Sequence, residues 1–229
     1  ARTPYALWTR GETALLANPL ADRITLTGAR ASTAYGDHMA IELASDLALS
    51  GRVAVAGGAY GIQAAAHRSA LATGGRTIAV LAGGVDRSYP AGHADLFARI
   101  EQQGLLVSEG APGVAPTRQR FLDRGRIMAA LSSTTVIVEA GARSGSLRVA
   151  NEAVELGRSV GAVPGPVTSA ASYGSNILIQ DRRARLLTGS EDLLRLADED
   201  KSNDHNTELS RAFRIAAACD RRSPDSRGL

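Results

Sequence analysis

A chain of 229 residues, 44% of them hydrophobic, is long enough to bury one α/β core and to leave some length for terminal appendages. No apolar run reaches the roughly 18 residues a membrane span needs, and the start, ARTPYALWTRGE, lacks the apolar centre of a secretory leader. The net charge of +3 is mild and Lys201 is the only lysine, so arginine carries the basic balance, and charge alone argues only weakly for a nucleic-acid partner. A single cysteine, Cys219, excludes an intrachain disulfide and argues against a cysteine zinc site, which fits a reducing, cytoplasmic compartment.

Residues 1–20 are too short for a domain and, with Tyr5 and Trp8, are expected to lie across a sheet as an extended arm. From there β-branched or apolar runs that end in glycine alternate with segments of helical spacing. RITLTGAR (23–30) is followed by Ile41, Leu43 and Leu47 within 35–50, and RVAVAGGAYG (52–61) by Ile62, Ala66 and Leu71 within 61–73. TIAVLAGG (77–84) precedes Leu96 and Ile100 within 92–103, and GLLVSEG (104–110) follows. In TRQRFLDRGRIMAAL (117–131), Asp123 is the expected N-cap, with Arg124 to Arg126 as the first turn and Ile127, Met128 and Leu131 as the buried stripe. TTVIVEAGARSG (134–145), SVGAVPGP (159–166) and ARLLTG (184–189) complete the set of strands. Continuously apolar strands separated by helices predict an α/β fold over 21–198, with a doubly wound, mostly parallel sheet covered on both faces. Residues 199–229 form a polar tail in which 207–222 is expected to be one helix and 223–229 (SPDSRGL) to be disordered.

In such a sheet ligands sit beyond the carboxyl ends of the strands, where loops lead into helix N-termini. Three loops have the right chemistry for an anion. TGARAST offers Gly28 for close backbone approach and Arg30, Ser32 and Thr33 as donors; GGAYG offers Gly57, Gly58 and Gly61; ARSGS offers Ser144, Gly145 and Ser146. Taken singly, each loop can equally be a tight turn with a helix cap. Their convergence in one sheet favours a phosphate site.

The dinucleotide pattern G-x-G-x-x-G is missing from the first turn, and no acidic residue ends the second strand, which argues against a nicotinamide cofactor. The triphosphate loop G-x-x-x-x-G-K-[ST] is missing as well. His38, His67, His93 and His205 have no metal-type spacing, and His67 reads as a packed residue. Glu109 and Glu139 end expected strands; Glu139 is either a base or, as favoured here, an ion-pair partner of Arg124 or Arg126. No hydrolase elbow G-x-S-x-G surrounds Ser144. Neither a cofactor nor catalysis is required by these residues.

GARASTAYG (28–36), GGAYGIQAAAHRSAL (57–71), TIAVLAGGVDRSYPAGHADL (77–96), VSEGAPGVAPTRQRFLDRGRIMAAL (107–131), VIVEAGARSGSL (136–147) and AVPGPVTSAASYGSNILI (162–179) resemble, in order and spacing, the DprA/Smf family of DNA-processing proteins, over roughly residues 5–190. The resemblance implies an extended Rossmann-like domain that binds single-stranded DNA, pairs as a homodimer through the end represented here by 176–196, and loads the recombinase RecA without known catalytic turnover. It also implies that Arg30, Arg118 and Phe121 contact DNA, Phe121 as a platform for base stacking; the alternative is a ring packed inward. Arg124 and Arg126 would join the phosphate cluster. Two positions depart from the family pattern. Arg124-Gly125-Arg126 replaces R-N-R, and Gly61-Ile62-Gln63 replaces G-I-D, so Gln63 supplies no carboxylate. The second reading is a nucleotide-acting enzyme or sensor like the Lonely-guy phosphoribohydrolases, with Glu152 as the nearest catalytic candidate, although the loop 139–152 only distantly echoes theirs.

Overall fold

The structure is a computed structural model that describes residues 3–199. The expected helix over 207–222, the expected disordered end over 223–229 and Cys219 lie outside the described residues.

Eight strands form one sheet: β1 (Trp8–Gly11), β2 (Arg23–Thr27), β3 (Val53–Gly57), β4 (Thr77–Leu81), β5 (Leu105–Ser108), β6 (Thr134–Ile137), β7 (Ser159–Ala162) and β8 (Arg185–Leu186). The helices are α1 (Ala34–Leu49), α2 (Ile62–Ala72), α3 (Ala94–Gln103), α4 (Arg118–Ala130), α5 (Ser146–Glu155) and α6 (Tyr173–Gln180), and residues 190–199 are helical as well. The strand order is β1-β5-β4-β3-β2-β6-β7-β8, so α4 carries the chain from β5 back across the sheet to β6. The order therefore reverses between β2 and β6, the place where an open α/β sheet leaves a crevice.

Every residue of β2, β3 and β4 is buried, because each strand has helices on both sides. Alternate side chains serve opposite layers. Val53, Val55, Ile78, Val80 and Ile137 meet Ile127, Met128 and Val149 from α4 and α5. Ile24, Leu26 and Val136 meet Met39, Leu43, Leu47 and Ile62 from α1 and α2. Phe97 and Ile100 of α3 close the β4–β5 end on that second face. The doubly wound α/β reading agrees with this architecture.

The amino-terminal arm does more than cross the sheet. Trp8–Gly11 pairs antiparallel with β5, Trp8 opposite Ser108 and Gly11 opposite Leu105, and so covers the edge that β5 would otherwise expose. Arg23 secures this segment: its guanidinium donates to the carbonyls of Leu15, Leu16 and Asn18 and to that of Leu131 at the end of α4. The strand expected over 184–189 contracts to two residues at the other edge, paired with β7.

The start of α4 corrects an expectation. Its N-cap is Thr117, whose hydroxyl accepts from the Arg120 amide at 3.2 Å, and not Asp123. Thr117 has the extended backbone a cap needs, φ −127° and ψ 163°, and Asp123 lies one and a half turns further on, where its carboxylate accepts from the Gln119 amide. Arg118 to Phe121 thus form the first helical turn.

Candidate functional site

At the β2–β6 switch lies a cleft of about 430 Å3. Its walls come from the loops after β2 (Gly28, Arg30), β3 (Ala59) and β6 (Gly141, Arg143, Ser144), from Gln63 of α2, and from one face of α4. That face presents Phe121, Arg124, Gly125 and Met128, the spacing that places residues on one side of a helix.

Phe121 is half-buried and belongs to no core cluster. The guanidinium carbons of Arg30 and Arg124 each sit 4.8 Å from its ring centroid, and Tyr89 meets it edge-on at 5.7 Å. Two cations at this distance are drawn to the negative face of the ring. The ring is part of no buried core cluster and lines the cleft among charged groups. Arg30 is exposed, whereas Arg124 is buried.

Arg124 is the unusual group. Its guanidinium contacts the Gln63 side-chain carbonyl at 3.1 Å and the Val80 carbonyl at 3.5 Å, and forms no ion pair with a carboxylate among the described residues. Burial, with the nearby charge of Arg30 adding to it, lowers its pKa to about 9, well below the usual guanidinium range. Gln63 is itself fixed, accepting from the Ala59 amide at 3.1 Å and donating to the Thr27 hydroxyl at 2.8 Å. Gly57 leaves the room for this arrangement: a Cβ there would lie 2.6 Å from both the Arg124 guanidinium carbon and the Gln63 oxygen. Gly61, at φ 69°, lets its loop touch the loop after β2, where a Cβ would stand 2.4 Å from the Ala29 carbonyl.

Several sequence candidates take other positions. Arg126 points away from the cleft and pairs with Glu109 at 2.6 Å, because residues two apart on a helix face nearly opposite directions. Glu139 pairs with neither arginine; its two oxygens accept from the Thr33 amide at 2.8 Å and the Thr33 hydroxyl at 2.6 Å. Thr33 also caps α1, and the Ser32 hydroxyl donates to Asp37, so both side chains are engaged in hydrogen bonds within the chain and neither lines the cleft. Gly58 gives way to the Phe97 ring, which a Cβ would meet at 2.7 Å. Ser144, Gly145 and Ser146 do line it, the two hydroxyls 2.7 Å apart. Arg118 is exposed on the first turn of α4, outside the cleft wall. His67 is packed as expected, its Nε2 donating to the Gly57 carbonyl at 3.1 Å, and desolvation lowers its pKa to about 4. Glu152 pairs with Arg148 along α5 and does not reach the cleft.

Sequence reasoning did not single out Arg143 or Tyr89. Arg143 was legible as the one basic residue in ARSGS, next to the serines that it accompanies at the cleft. Tyr89 gave no local signal, since only the fold brings the loop after β4 to the start of α4. With Arg30, Arg124 and Arg143 on its walls and no carboxylate among its lining residues, the cleft suits an anion beside a flat ring. Among the described residues no cluster of side chains could hold a metal ion, and no helix is long and apolar enough to cross a membrane.

The chain is similar to known proteins over most of its length. Residues 1–198 match the family described as DNA recombination-mediator protein A. A putative DNA processing protein DprA from Mycobacterium tuberculosis is 50% identical over 193 residues, covering 84% of this chain and 49% of that protein. The chain thus spans about half the length of this relative. The structure of DNA processing protein A from Streptococcus pneumoniae superposes with a TM-score of 0.77 at 37% identity, over 82% of this chain and 65% of that one. The Helicobacter pylori protein, described as having a unique single-stranded DNA binding mode, gives 0.79 at 30% identity, over 87% and 89%.

Proposed function

Since the chain belongs to the DNA recombination-mediator protein A family, we propose that its cleft binds single-stranded DNA and that it acts as a recombination mediator, delivering a recombinase of the RecA type onto the strand, without catalytic turnover. The observation that carries this reading is Arg124, a buried guanidinium with no carboxylate partner among the described residues, facing a cleft whose mouth is the Phe121 ring. A phosphate supplies the missing counter-charge, and an unpaired base supplies the stacking partner. Arg30, exposed and resting on the ring, is free to swing to a neighbouring phosphate, and Arg118 extends the basic path outside the cleft. A duplex keeps its bases stacked on each other and cannot use Phe121.

Homodimerisation through the carboxyl end of the domain is part of this proposal. β8 is an outer edge strand with Leu186 exposed, a surface that a second copy of the chain would cover. Binding of one strand by two clefts would then help to present it to the recombinase.

The test is a salt titration with single-stranded and double-stranded DNA, with light scattering on the free protein. Preference for the single strand, with affinity falling as salt rises, supports the reading. Equal affinity for duplex, or binding indifferent to salt, overturns it. A monomer at micromolar concentration removes the two-cleft arrangement alone.

A further inference from the structure

α4 separates two clefts. Phe121 and Gly125 face the one described above; Arg120, Asp123 and Arg124, on an adjoining strip of the same helix, form the wall of a second cleft of about 350 Å3. Its floor is made by the carboxyl ends of β4 and β5, including Glu109, and its far rim is Trp8 of β1. Arg124 lines both clefts, so a phosphate held there has one cavity on either side.

The two cavities differ in charge. The first has three arginines and no carboxylate on its walls, whereas the second sets Arg120 and Arg124 against Glu109 and Asp123. A second phosphate would gain little from such a balanced set. A neutral, flat group with hydrogen-bond donors gains more. Glu109 is held by Arg126 at 2.6 Å, while Asp123 accepts from the exposed Gln119 amide, a bond that a ligand can replace. Trp8 is 37% exposed and lines the cleft.

We propose that this second cleft takes a nucleobase of the same strand, stacked on Trp8 and donating an exocyclic amino group to Asp123. The proposal rests on the single-stranded DNA reading and deepens it. Cytosine and adenine carry such a donor and thymine does not, so the cleft adds a preference for amino-bearing bases to a protein that otherwise stacks any base.

Trp8 is the only tryptophan in the chain, and its emission therefore reports on this cleft alone. The experiment titrates the full chain with end-labelled oligo-dC and oligo-dT, reading total binding by anisotropy and occupancy of the cleft by tryptophan emission. Oligo-dC is expected to bind more tightly than oligo-dT and to quench Trp8. Trp8→Ala should weaken oligo-dC binding by roughly 5- to 150-fold, the range for removing one base stack. Asp123→Asn should narrow the preference for oligo-dC, because an amide can also donate to thymine. If Trp8→Ala does not fold, quenching in the unaltered chain and the Asp123→Asn comparison still decide the matter. Binding that leaves Trp8 emission unchanged, or equal affinities for both oligonucleotides, overturns the second cleft and leaves the first intact. Absence of any binding by anisotropy overturns the single-strand reading itself and this inference with it.

Discussion

Gln63→Glu changes the charge beside Arg124 while keeping its shape. The parent side chain is 7% exposed, with its oxygen 3.1 Å from the Arg124 guanidinium and its nitrogen 2.8 Å from the Thr27 hydroxyl. Glutamate is isosteric, and the Thr27 hydroxyl can turn to donate to the new oxygen, so the hydrogen bonds survive. The carboxylate neutralises the guanidinium that the anion is proposed to use. At an effective dielectric of about 20, a phosphate on the far side of Arg124, roughly 7 Å from the new charge, is repelled by about 2 kcal/mol, or about 30-fold in Kd.

The pH dependence gives a second readout with a definite sign. Burial and Arg30 lower Arg124 to about 9, so its charge is present below that pH and is lost above it. Parent affinity for single-stranded DNA should therefore fall as pH rises through about 9. In Gln63→Glu the opposite charge raises the Arg124 pKa, and the weaker affinity should be flatter over the same range. Folding stability moves the other way. The unfolded chain keeps the arginine proton to a much higher pH, so above about 9 the unfolded state binds more protons and this group makes the parent more stable as pH rises. Anisotropy titrations at low salt on both sides of the transition, with circular dichroism to confirm folding, make the measurement. A folded Gln63→Glu protein with parental affinity and a superimposable pH profile would refute Arg124 as the charge that holds the anion.

Phe121→Ala should weaken single-strand binding by about 1–3 kcal/mol at every salt concentration, since stacking is barely screened. Its melting temperature should stay close to the parent's; a loss of roughly 3–5 kcal/mol in folding stability, read by urea denaturation, would place the ring in the core instead. Arg143→Ala and Arg30→Ala should each weaken binding and flatten the plot of log affinity against log salt by about 0.7 for each phosphate no longer neutralised; an unchanged slope would remove that arginine from the phosphate path. Gly61→Ala should destabilise the fold by more than about 1 kcal/mol, because it imposes a Cβ on a left-handed backbone and on the Ala29 carbonyl, and denaturant unfolding with the parent midpoint would contradict this.

The sheet was legible in the sequence because a strand buried on both faces favours apolar residues at successive positions, as in VAVAG and TIAVL, while RITLT buries Arg23, Thr25 and Thr27 with hydrogen bonds. The place of the site was legible for a related reason: glycine and small polar residues at strand ends mark loops that approach a ligand or a neighbouring backbone closely. The local sequence also held the answer for Arg124 and Arg126, whose two-residue spacing sends them to opposite sides of a helix under either choice of cap. Other features depended on tertiary neighbours that no local pattern encodes. Glu139 meets Thr33 across 106 positions, Gln63 meets Arg124 across 61, and Trp8 reaches the second cleft only because β1 pairs with β5. Residue types determine which positions can carry charge or stack. Which carboxylate each arginine finds is decided by the strand order, and the strand order left Arg124 with an amide.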